Sequence, residues 1–136
     1  MSSISTIALS GMNAAARRLE VSASNVANVM STGALPNADG TVPAGAPRAY
    51  APLELVQTAS AGGGTQTTVT TTTPSTTAVS DPQAPFANQN GLVAAPNVDL
   101  AQEFVGQLLA SYSFAANAAV LKADDRNTKA LIDITA

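Results

Sequence analysis

The sequence predicts a mainly α fold, with two long terminal helices separated by a small β-hairpin or loop insert. Three observations carry this. Apolar or small residues recur in steps of three and four from Ile4 to Val29, and again from Val98 to Ala119. All eight prolines, and most of the nine glycines, fall outside those two stretches. Aromatic residues make up only 4 % of the chain, with no Trp, which argues against a thick globular core.

The first segment, residues 1–33, reads as a helix from about Ile4 to Met30. Its row is Ile4, Ala8, Gly11, Ala15, Leu19, Ser22, Val26 and Val29, with Met12, Leu19 and Val26 alongside, a seam near the 3.5-residue period. Ser2, Ser3 and Ser5 offer N-caps, and Gly33 followed by Pro36 supplies the stop. Gly11 weakens the interior by roughly 1 kcal/mol relative to Ala. An amphipathic helix in an ordinary bundle fits the same pattern. Asn25 and Asn28 stand out, because asparagine is a poor helix former and two of them sit near the helix end.

The middle segment, residues 34–96, has two strand-like stretches, Tyr50 to Gln57 and Gln66 to Thr73, with Gly62-Gly63-Gly64 between them as a hairpin link. Threonine favours extended backbone, but only Val69 offers a large apolar side chain to fix the register of the second stretch. A disordered linker remains the alternative there.

The last segment, residues 97–136, opens with Asp99 three residues before Gln102, a capping-box-like start, and Glu103 adds favourable charge to the first turn. The helix is expected to run to about Ile134. Its apolar row is Val98, Ala101, Val105, Leu108, Tyr112, Ala115 and Ala119, flanked by Phe104 and Leu109. A polar stretch from Lys122 to Lys129 interrupts the row before Leu131, Ile132 and Ile134 resume it. The two helices would be about 40 and 53 Å long. Neither can bury its apolar face alone, so the missing surface is expected from other copies or relatives of the chain.

Composition excludes several functions. A net charge of −3 with few Lys and Arg argues against nucleic acid as a partner. With no His and no Cys, the usual general bases, thiol nucleophiles and metal clusters are missing, so no catalytic, cofactor or metal site is expected. Asp124 and Asp125 are adjacent on a helix and point about 100° apart, so they do not share one site. Gly62-Gly63-Gly64 runs into Thr65-Gln66 without a Lys and is no phosphate loop. An enzyme with a small-molecule substrate is therefore not expected. No run of 18 apolar residues suggests a membrane-spanning helix, and the N-terminus lacks the pattern of a cleaved signal peptide. If the chain leaves the cytoplasm, it does so by a route that reads something other than a Sec-type signal.

The stretch Ala8-Leu9-Ser10-Gly11-Met12-Asn13-Ala14-Ala15, followed by Arg18-Leu19-Glu20-Val21, Ser24-Asn25-Val26-Ala27-Asn28 and Ser31-Thr32-Gly33, resembles the N-terminal signature of bacterial flagellar rod and hook proteins, the axial family. Asn97-Val98-Asp99-Leu100, Glu103-Phe104-Val105, Leu108, Tyr112, Ala116-Asn117 and Leu121 resemble that family's C-terminal signature. The short chain and the stretch from Gly91 to Asp99 are most similar to the proximal rod class of C type. The resemblance covers roughly residues 4–33 and 86–134. Leu92, where an aromatic would be expected, and the polar stretch Asp124 to Lys129 depart from it.

The resemblance implies that the terminal helices pair as a coiled coil lining the inner tube of a helical filament, with the β-rich insert outside. It implies a structural subunit of the flagellar basal-body rod, exported through the flagellar type III apparatus without cleavage and placed in the periplasmic rod. Partners would be other copies of the chain and neighbouring rod subunits. The residues expected in subunit packing are Leu19, Asn25, Val26, Asn28, Val98, Phe104, Val105, Leu108, Tyr112, Asn117 and Leu121. Asn25 and Asn28 would bond backbone or cap groups of the adjoining chain, the alternative being that both face solvent. Another axial protein, such as a distal rod or hook relative, and a secreted membrane-active amphipathic protein are the competing readings; the scarcity of Lys and Arg weighs against the second.

Overall fold

The computed structural model describes residues 3–37 and 39–135. Helix α1 spans Ser3–Asn28 and helix α2 spans Leu100–Thr135, 26 and 36 residues. Between them lie strands β1 (Leu53–Ala59), β2 (Thr65–Thr71), β3 (Thr76–Ser80) and β4 (Leu92–Pro96). They form two two-stranded sheets, β1 with β2 and β3 with β4. The expected mainly α architecture with a small β insert is what forms, and the insert holds two hairpins where the sequence suggested one.

Each element has a local cause. Asp99 caps α2: its Oδ1 accepts from the backbone N–H groups of Ala101 and Gln102 at 2.9 and 3.1 Å, satisfying donors that have no partner inside the helix. The N-cap assignments for α1 need correction, because Ser3 and Ser5 lie inside the helix and the Ser5 hydroxyl donates to Asp124; Ser2 lies outside the described residues. The chain turns from β1 to β2 over Gly62, Gly63 and Gly64, all at positive φ (103°, 96° and 84°), a conformation that side chains other than glycine's resist. Between β3 and β4 the ladder is antiparallel, pairing Thr76 with Pro96 and Ser80 with Leu92. Pro96 sits at the ladder's end, where its missing N–H is tolerated.

Residue contacts fall into two compact units, each drawing on all three stretches of the sequence. The first takes residues up to Val21, the hairpin from Leu55 to Val69, and α2 from Phe104 onward. Its core is small: Ala8, Ala14, Ala15 and Val21 on α1 and Ala110 on α2 are buried. Each methyl-sized group so buried contributes about 0.8 kcal/mol. The helices run antiparallel here, with Ser5 beside Asp124 and Gly11 beside Asn117. A Cβ added at Gly11 would lie 2.6 Å from Asn117 Oδ1, so the glycine permits the close approach.

The second unit comprises Ser22–Glu54 and Thr70–Glu103. Its centre is β4, where Val93 and Ala94 are buried against the chain that follows α1. Gly33 and Ala94 exchange both backbone hydrogen bonds, at 2.9 and 2.8 Å, so Gly33 adds one residue of a third strand beside β4. A Cβ at Gly33 would lie 2.2 Å from the backbone N of Ala49. Further bonds tie the insert down: Ala34 N to Pro47 O, Tyr50 N to Ser31 O, Thr72 N to Pro52 O and Asn97 N to Ser75 O. The middle segment is thus held by backbone pairing despite its poverty in large apolar side chains.

Candidate subunit interface

Two faces of α2 differ in kind. The residues it turns inward, Glu103, Gly106, Gln107, Ala110, Asn117, Ala118, Leu121 and Asp124, are all small or polar except Leu121, and all are at least half-buried. Glu103, Ala110, Asn117 and Asp124 recur at intervals of seven. On α1 the buried or half-buried residues include Ala8, Ala15 and Ser22, with Gly11, Arg18 and Asn25 between them, again at sevens. Small side chains are what a close helix–helix approach requires.

The large apolar side chains of α2 point the other way. Phe104, Val105, Leu108 and Tyr112 are 58, 57, 55 and 66 % exposed, and Leu109 lies beside them at 56 %. Val98, Asn117 and Leu121 are half-buried, as are Leu19, Val26 and Asn28 on the α1 side. No charged side chain occurs between Glu103 and Lys122. Contiguous exposed apolar strips of this kind are characteristic of surfaces that meet a protein or a membrane. By length and composition α2 is also apolar enough to cross a membrane. That corrects the expectation of no such helix, which rested on uninterrupted apolar runs and passed over a stretch where Ala, Leu and Val are interspersed with Gln, Ser and Asn.

Asn25 is the one site residue that is fully buried, 2 % exposed. Its Nδ2 donates to Leu53 O at 2.8 Å and to Glu103 Oε1 at 2.6 Å. Its Oδ1 accepts from Leu53 N at 2.9 Å and from the Tyr50 hydroxyl at 3.1 Å. The Ser24 hydroxyl, 2.9 Å from Tyr50 Oη, completes the chain of bonds. Ser22 Oγ donates to Glu103 O at 3.3 Å nearby. All four hydrogen-bonding positions of the amide are filled within its own chain, where a partner in an adjoining chain was expected. Asn28 is also satisfied locally, donating to Ser24 O at 2.9 Å and accepting from Ser31 Oγ at 3.4 Å.

Tyr50, Leu53 and Glu103 were not among the expected site residues. The cue available for Glu103 was its place in the heptad row with Ala110 and Asn117, which its charge disguised. Among the described residues, no three His, Cys, Asp or Glu side chains gather as metal ligands would.

Comparison with known proteins agrees with this geometry. Residues 6–34 match the family model described as flagella basal body rod protein, and residues 89–134 match that of the flagellar basal body rod FlgEFG protein C-terminal region. The flagellar basal-body rod protein FlgC of Yersinia enterocolitica is 35 % identical over 119 residues, which span 85 % of this chain and 83 % of that protein. The two matched regions hold α1 with the asparagine pair and α2 with the exposed strip, and on these grounds the chain belongs to the flagellar basal-body rod proteins.

Proposed function

We propose that the chain is a structural subunit of the proximal flagellar rod, polymerising through its terminal helices into the helical drive shaft around the export channel. The observation that supports this most directly is the exposed strip Phe104, Val105, Leu108, Leu109 and Tyr112 on a rod-family chain. Burying such side chains between subunits stabilises each by about 1.5–3 kcal/mol relative to exposure, and within the single chain all five stay more than half exposed. The recurrence of inward-facing residues at sevens on both helices supports reading their pairing as a coiled coil. The insert then stands outside that pair, and Leu19, Val26, Val98, Asn117 and Leu121 contribute to subunit packing from its margins. Export would use the flagellar type III apparatus, and the working place of the subunit would be the periplasmic rod, among copies of itself and neighbouring rod subunits. No catalytic step belongs to this role.

Substituting Leu108→Asp in motile cells tests the proposal. The charge, placed in a buried apolar contact, costs several kcal/mol, so export should continue while rod completion fails. Normal swimming would overturn it.

A further inference from the structure

Within the first unit, α1, α2 and the tip of the β1–β2 hairpin enclose an open cleft of about 310 Å³. Its floor is apolar and small, with Ala14, Ala15 and Ala110, and its rim is polar, with Ser10, Gln57 and Arg18. Arg18 is the cleft's single charged group; it donates to Gln57 Oε1 at 3.3 Å and has no carboxylate partner among the described residues. Such a site suits an occupant with an apolar body and a polar tip, and a planar ring that a guanidinium can stack upon.

The chain carries one side chain of that description on its unpartnered face: Tyr112, 66 % exposed, at the middle of the α2 strip. Leu109, Ala110, Ser113 and Asn117 line the cleft from α2, whereas Tyr112 does not. Strip and cleft share Leu109 at their border, but Tyr112 stays out of the cleft of its own chain. We infer that Tyr112 of one copy docks in the Ala14–Ala110 cleft of a second copy, with its hydroxyl on the Ser10–Gln57 rim and its ring beside the Arg18 guanidinium. A contact between unlike patches repeats from copy to copy, and where the rotation does not close into a ring it builds a helical array. Buried tyrosine and arginine pairs of this kind are typical of residues that dominate an interface.

This inference rests on the rod reading above, and its test separates the two. The chain has no native cysteine, so a Gln57→Cys/Tyr112→Cys variant can be oxidised in isolated basal bodies and run on a non-reducing gel. Expected is a ladder of crosslinked multimers absent from either single variant. Completed rods that yield only uncrosslinked chain overturn the inference while leaving the rod reading intact. Should the cysteine pair prevent rods from forming, Tyr112→Leu and Tyr112→Phe decide. A cleft with a polar rim predicts that Leu loses most of the swimming zone and that Phe, keeping the ring, retains more of it. Wild-type swimming with Leu shows a plain apolar seam and overturns the docking.

Discussion

The side-chain amide of Asn25 bonds both backbone polar groups of Leu53, donating to its carbonyl at 2.8 Å and accepting from its N–H at 2.9 Å. The amide thus does for the first residue of β1 what a neighbouring strand would do, and Glu103 and Tyr50 hold it in that orientation. An asparagine near a helix end is here the joint between helix and insert.

Asn25→Ala should leave Leu53 and Glu103 without these partners in a buried place, at about 1–3 kcal/mol for each unsatisfied group. Asn25→Asp should be at least as damaging, because its carboxylate would face the Glu103 carboxylate and the Leu53 carbonyl with no N–H to offer. Counting completed rods in cells carrying each variant checks this; normal counts with Asn25→Asp would show that the amide's donor side is dispensable.

The two signature glycines should differ in tolerance. Gly33→Ala drives a methyl group against the backbone of Ala49, which cannot rotate away, so the cost should lie at or above the upper end of the ~1–3 kcal/mol typical of overpacking. Gly11→Ala meets the Asn117 side chain first, a group that can move aside, and gains up to about 1 kcal/mol of helix propensity, so it should be the milder change. Swimming assays of the two would contradict this if their order were reversed.

For the hairpin, Val69→Pro should hinder rod assembly, because proline removes an N–H from β2. Val69 is half-buried in that strand, and Val69→Thr, which keeps the β-branched shape, should be tolerated better. Equal, wild-type behaviour of both would mean that the β1–β2 pairing plays no part in assembly.

With a first-unit core built largely of alanine, the isolated chain should be weakly stable and gain most of its helicity on assembly, since ordering each residue costs on the order of 1–2 kcal/mol. Circular dichroism of the dilute chain checks it, and a cooperative, strongly helical melt at low concentration would refute it.

The helices were legible in the sequence because a 3.6-residue period leaves a regular trace, and the α1 row through Ala8, Ala15 and Ser22 is indeed its buried side. The first hairpin was legible because Gly62 to Gly64 must take positive φ. The second was not: Val79 is 45 % exposed while Val93 and Ala94 are buried, so its two strands share no common alternation. On α2 the most hydrophobic row faces outward and a modest row of Glu103, Gly106, Ala110 and Asn117 faces inward. Hydrophobicity located the face that α2 leaves exposed, whereas the face it uses within the chain is mostly small or polar, which leaves a fainter mark.

Assembly through the terminal helices requires that the outward strip of α2 be covered in the rod. Leu108→Cys places a lone thiol at its centre, since the chain has no other cysteine. Maleimide labelling should be rapid in the free chain and strongly suppressed in assembled basal bodies that still support swimming. Equal labelling in both states would contradict burial of the strip between subunits.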